Sequence, residues 1–122
     1  MKEFHIGDIL SVTHDKLLSP RLIEGVYDIL NYMTGESLFT HQLPRVGREA
    51  GPVLRKHLPF LDEIDVSDIT KDNWKSRLDV ITAKYGAMHP VPKLTPDEHE
   101  IIDPMSELAE KVRPDNIVVV TN

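Results

Sequence analysis

The chain has no cysteine. That excludes disulfides, thiolate metal sites and cysteine nucleophiles, and it agrees with a reducing compartment. No apolar run approaches the ~20 residues of a transmembrane helix, so no membrane contact is expected. The first residues, Met1-Lys2-Glu3-Phe4-His5, lack the apolar stretch of a signal peptide. A cytoplasmic location is the expectation by default. Neither the Gly-x-Gly-x-x-Gly pattern nor the phosphate-binding P-loop pattern occurs, which argues against a nucleotide fold. The serines lie in no Gly-x-Ser-x-Gly context. Histidine is plentiful, but His-Glu-x-x-His is absent. His99 and Asp103 stand four apart, yet Asp103 precedes Pro104 and reads as a helix cap, so no metal is expected there. No cofactor is expected at all. Aromatic residues are sparse, and Tyr27, Tyr32, Trp74 and Tyr85 fall at helical spacings that suit a core better than a base-stacking surface.

What is present is a charge contrast. The 122 residues carry a net charge of −6. Direct nucleic-acid binding, which leans on many Lys and Arg contacts to phosphate, is therefore not expected. Within this acidic chain, residues 40–57 hold Arg45, Arg48, Arg55 and Lys56 against Glu49 alone, a local balance of +3, with His41 and His57 beside them. A cationic island punctuated by Gly and Pro is where an anionic ligand or partner would bind. Arginine forks suit carboxylate or phosphate. The competing reading is that these arginines pair with the chain's own surplus carboxylates. Arg45 and Arg48, three apart, would share a helix face; Arg55 would join them only if a kink near Pro52 permits. Thr40-His41-Gln42 precedes the island. His41 could act as a general base or ligand oriented by Gln42, or Thr40 and His41 could cap a helix while Gln42 bonds backbone.

The length fits one domain over residues 1–122, with enough buried surface for a single core. Residues 4–6 read as a short strand. Asp8 reads as the start of a short helix, with a strand over 9–13 as the alternative. Ser19-Pro20 gives a cap-then-proline helix start. Leu22, Ile23, Val26, Tyr27, Ile29, Leu30 and Met33 supply its apolar face, and Gly35 its left-handed end. Gly25 weakens this helix, which suggests that a close backbone approach requires it. A helix is expected from about Pro44 to His57, broken or kinked near Gly51-Pro52. Thr70 is expected to cap a helix over 71–85 and Asp103-Pro104 to open one over 104–112. Ile117–Val120, β-branched throughout, reads as a strand, with 3–6 and 87–91 as its partners. The fold class is α+β: compact, mostly helical, with a small sheet that includes the C-terminal strand.

Gly7-Asp8-Ile9-Leu10-Ser11, Ser19-Pro20-Arg21, Gly25-Val26-Tyr27-Asp28-Ile29-Leu30-Asn31, Met33-Thr34-Gly35 and Thr40-His41-Gln42-Leu43-Pro44-Arg45 carry a resemblance. Over residues 5–46 the chain resembles a family of small uncharacterised proteins of bacteriophages and prophages. The resemblance transfers no site residues. It implies a phage accessory protein acting in a bacterial cytoplasm. The expected function is non-enzymatic: binding a host bacterial protein, as an inhibitor of a host defence system, through the 40–57 island or the acidic 95–110 surface. Two alternatives stand beside it. One is a small enzyme or ligand-binding domain with a pocket built from His41, Gln42 and Arg45. The other is a structural, self-assembling phage component, and homo-oligomers are left open.

Overall fold

The computed structural model describes residues 1–14 and 16–111. Two short strands, β1 (Lys2–His5) and β2 (Met88–Val91), pair antiparallel, with Lys2 opposite Val91 and His5 opposite Met88. The two segments expected to flank a C-terminal strand thus pair with each other. The expected strand over Ile117–Val120 itself lies outside the described residues. Among the described residues five α-helices accompany the ladder: α1 (Ile6–Thr13), α2 (Ile23–Thr34), α3 (Leu43–His57), α4 (Trp74–Tyr85) and α5 (Pro104–Lys111). The result is a compact α+β domain, as the composition and periodicity imply.

Helix α1 packs against both α2 and α3, and the core sits where the three meet. Ile6, Ile9, Leu10, Ile29, Leu30 and Leu54 are fully buried there. The apolar spacing of α2 delivers Ile29, Leu30 and Met33 to this core, while Gly35 ends the helix at φ 73°, a backbone conformation that glycine adopts without a Cβ penalty. Helix α1 starts two residues before Asp8. The His5 ring supplies its cap, with Nδ1 accepting from the Gly7 amide at 3.0 Å.

Asp8 is therefore not a cap. It is a buried carboxylate inside α1, 2% exposed. A buried charge is tolerated only with partners. The Ser19 hydroxyl donates to its Oδ1, and Arg21 Nη2 donates to its Oδ2 at 3.2 Å. This long-range bond shifts the start of α2. The Ser19 hydroxyl donates to Asp8 and accepts from the Arg21 amide at 3.2 Å, closing a turn rather than a helix. Helix α2 begins only at Ile23, after Leu22 has passed through φ 58°, ψ −135°, a conformation that costs a residue with a Cβ on the order of 1–3 kcal/mol. The close approach expected at Gly25 is present: a Cβ there would overlap Ser19 Oγ and Asp8 Oδ1.

Helix α3 runs unbroken from Leu43 to His57, with Pro52 inside it. The expected break is absent. Pro52 has no N–H to give the carbonyl of Arg48, but it lies on an exposed strip of the helix where that carbonyl need not be buried. Helix α4 starts at Trp74 rather than Lys71, because Thr70 and Asn73 close a turn on each other: the Thr70 amide donates to Asn73 Oδ1 at 2.7 Å. Asp103 caps α5 as expected, Oδ2 accepting from the Ser106 amide at 3.1 Å. Among the described residues no helix is long and apolar enough to cross a membrane.

Candidate functional site

The cationic island becomes a single helix, and helix geometry divides it. Each residue advances about 100° around the axis. Seven steps return Arg55 to within about 20° of Arg48, whereas Arg45 stands about 60° from Arg48. The expected pair was Arg45 with Arg48. The observed pair on one strip is Arg48 with Arg55.

Arg45 turns to the side of α3 that faces the chain's own later segment. Its Nε and Nη2 fork onto the Glu107 carboxylate, both at 3.0 Å. Its Nη1 reaches Glu49 Oε2 at 3.0 Å and the carbonyl of Glu100 at 2.9 Å. Glu107 is 3% exposed. Gln42, also buried, donates to Glu107 and to the carbonyl of Ile102, both at 3.3 Å. His41 Nε2 lies 2.8 Å from the carbonyl of Pro104. His41, Gln42 and Arg45 do converge, but on residues 100–107 of their own chain. The space around these three is filled from within: Gln42 and Arg45 bond Glu107 on α5, and His41 meets the Pro104 carbonyl at its start.

His99 extends this clamp. Its ring sits between Glu49 Oε1, 2.6 Å from Nδ1, and Glu36 Oε2, 2.5 Å from Nε2. Burial pulls the imidazole toward its neutral form, but the hydrogen bonds and charge of Glu49 and Glu36 outweigh it. The pKa is raised above the ordinary histidine value. Among the described residues no group of three or more His, Cys, Asp or Glu could hold a metal ion.

The other strip of α3 faces a groove of about 760 Å³ between α1, α2 and α3. Val12 of α1, Ile23, Val26 and Leu30 of α2, and Leu43 of α3 make its apolar surface. Pro44, Gly47, Arg48, Gly51, Pro52 and Arg55 form the α3 side. Three cations and no carboxylate are among the described residues that line it, in a chain with twenty Asp and Glu. Lys16 Nζ donates to the carbonyls of Val66 at 2.5 Å and Ile69 at 2.9 Å and makes no ion pair with any described residue. Arg55 is engaged by Asp62 at 2.5 Å and by the carbonyl of Thr13 at 2.6 Å. Arg48 is exposed and makes no hydrogen bond or ion pair with any described residue. Lys56 points to solvent next to this strip but does not line the groove. At the Arg55 end, His14 is held below the ordinary histidine value, first by burial and then by the Arg55 charge.

Sequence reasoning missed the groove because its walls come from three helices and its residues are individually bland. The signal available was Gly47-x-x-x-Gly51 inside a helix, with Arg48 and Arg55 seven apart.

Neither a curated protein nor a solved structure matches the chain. A family match covers residues 4–64, which include the end of β1, all of α1, α2 and α3, and every described residue lining the groove, but not the clamp's α5 side. On that half of its length the chain belongs to the family described as a domain of unknown function, DUF7736.

Proposed function

We propose that the chain is a non-catalytic binding module, and that the α1–α2–α3 groove receives an apolar, acid-bearing segment of another protein. One observation carries this reading: a groove of about 760 Å³ whose described lining is apolar side chains, three hydroxyls and three cations, with no carboxylate among the described residues, in a protein of net charge −6. A chain with surplus acid that keeps one concave surface free of it is complementary to a partner of opposite pattern. Arg48 and Lys16 supply attraction and register, and the apolar floor supplies affinity. The resemblance of residues 5–46 to small phage and prophage proteins supports a partner in a bacterial host. There the chain would serve as an accessory factor in the cytoplasm, blocking or redirecting the protein it binds.

The test compares wild type with Arg48→Glu in capture from bacterial lysate. The captured protein is then purified and titrated against the isotope-labelled chain. The expected result is one bacterial protein, lost from Arg48→Glu, whose addition moves the amide signals of Val12, Val26, Gly47 and Gly51. A partner that moves signals elsewhere, or that is indifferent to Arg48→Glu, would overturn the assignment.

A further inference from the structure

We infer, resting on the groove reading above, that the occupant presents an α-helix packed across α3 at Gly47 and Gly51. Glycine inside a helix is unfavourable by about 1 kcal/mol relative to alanine. Such a glycine is usually explained by a neighbour that leaves no space for a Cβ, and Gly25 in α2 is of that kind. Gly47 is not: a Cβ there would meet nothing within 4 Å. Gly51 is nearly as open, with only the carbonyl of Val12 at 3.9 Å. Nothing described inside the chain requires either glycine. Both line the groove, one turn apart on one strip of α3. Two small residues at this spacing remove side-chain bulk along a helix and let a second helix approach closely.

The chemistry of the walls selects a helix over an extended segment. An extended occupant would bury amides and carbonyls that need partners. Most of the groove wall is helical, and backbone groups inside a helix are paired internally; Lys16 and Leu17 alone lie in a connecting loop. The β1–β2 ladder contributes no residue to it, so no strand edge is available. Within α3, Pro52 leaves the Arg48 carbonyl without its helical donor. A helix brings its own hydrogen bonds and can bury an apolar face without that penalty. The strip from Pro44 to Arg55 is about 17 Å long, the length of roughly eleven helical residues.

Charge selects against a second copy of this chain. A two-fold crossing of α3 on α3 at the glycines would bring Arg48 against Arg48. The fitting partner helix carries small residues at the crossing and Asp or Glu toward Arg48 and Lys16.

The experiment is selection from a displayed library of random peptides of about sixteen residues on the immobilised full chain. Synthetic versions of the enriched peptides are then titrated. Gly47→Leu is the counter-target, since its side chain projects into the open groove; a thermal melt checks that it folds. We expect enriched sequences with apolar residues at three- and four-residue spacing plus acids. Their helicity should rise on binding. Affinity should fall at least tenfold on Gly47→Leu and at least tenfold when proline is placed mid-peptide. Peptides that lose affinity on Arg48→Glu but tolerate the central proline would overturn the helix and leave the groove standing. Enrichment only of peptides indifferent to both Arg48→Glu and Gly47→Leu would overturn the groove reading as well. Sedimentation showing a concentration-dependent dimer abolished by Gly47→Leu would assign the strip to a second copy and overturn the proposal.

Discussion

Helix α3 has two polar edges built from the same kinds of residue, and the molecule treats them oppositely. On one, Arg45 is enclosed by Glu107, Glu49 and the carbonyl of Glu100, with Gln42 on the same carboxylate. On the other, Arg48 stands exposed on a groove with no carboxylate among its described lining residues. The difference is positional. An arginine about 60° further round the same helix meets either the chain's own acids or empty space. A cationic island in sequence is thus two things in space, a structural clamp and a candidate interface, and only the second is free to bind.

The largest expected effect tests that division directly. Replacing Arg45 by Met removes the cation and leaves Glu107, 3% exposed, without its fork. Breaking a buried ion pair from one side costs about 3–5 kcal/mol, and the partial exposure of Arg45 puts the expectation near the lower end, about 3 kcal/mol. Arg48→Met removes an exposed side chain with no described partner and should change stability by less than about 0.5 kcal/mol. Urea unfolding of both variants checks the pair. Equal losses would erase the distinction between the two edges.

The second contrast concerns glycines. Gly25→Ala places a Cβ into Ser19 Oγ and Asp8 Oδ1, the pair that satisfies a buried carboxylate. A loss of about 2–3 kcal/mol is expected, the upper range for overpacking, because the obstructing atoms are themselves bonded to each other. Gly47→Ala should do the reverse. Its Cβ meets nothing, so helix propensity alone acts and stability should rise by about 1 kcal/mol. Thermal and urea unfolding measure both. A destabilised Gly47→Ala would mean that the chain itself needs this glycine, and the argument for an external helix would lose its basis.

Much of this was legible locally and little of it at a distance. The apolar spacing of α2, its end at Gly35, the tight approach at Gly25 and the Asp103 cap of α5 all depend on near neighbours in sequence, apart from the contact that Gly25 makes. The start of α2 was misread because the Ser19 hydroxyl is taken by Asp8, eleven residues earlier. Pairing of Arg45 with the chain's own acids is one of the two readings the charge pattern offers, but its partner is not readable because that carboxylate lies sixty-two residues away, on α5. Pro52 suggested a broken helix; propensity is a weak prior, and packing of the α3 apolar face on α1 overrides it. The groove could not be seen because no single element contains it.

The smallest expected effect is a slope with pH rather than a step, and it separates the two edges by sign. His99, on the clamp, has its pKa raised: burial opposes the charge, but Glu49 and Glu36 outweigh it, with Arg45 bound to Glu49 behind them. The folded chain then binds a proton more tightly than the unfolded one. Its contribution is fully present below the ordinary value of about 6.5 and is lost as pH rises from there through the raised pKa. His14, beside Arg55 at the end of the groove, has its pKa lowered by burial and by that arginine. There the unfolded chain binds the proton more tightly, so stability is lost as pH falls from about 6.5 through the lowered pKa. His99→Gln should flatten the stability profile above pH 6.5 and His14→Gln below it, read as melting temperatures across pH 5 to 8.5, about one and a half units on the acid side and two on the alkaline side of the histidine value. If His99→Gln leaves the alkaline limb unchanged, the two carboxylates do not hold a charged ring. The clamp would then rest on the bonds of Arg45, Gln42 and His41 to residues 100–107.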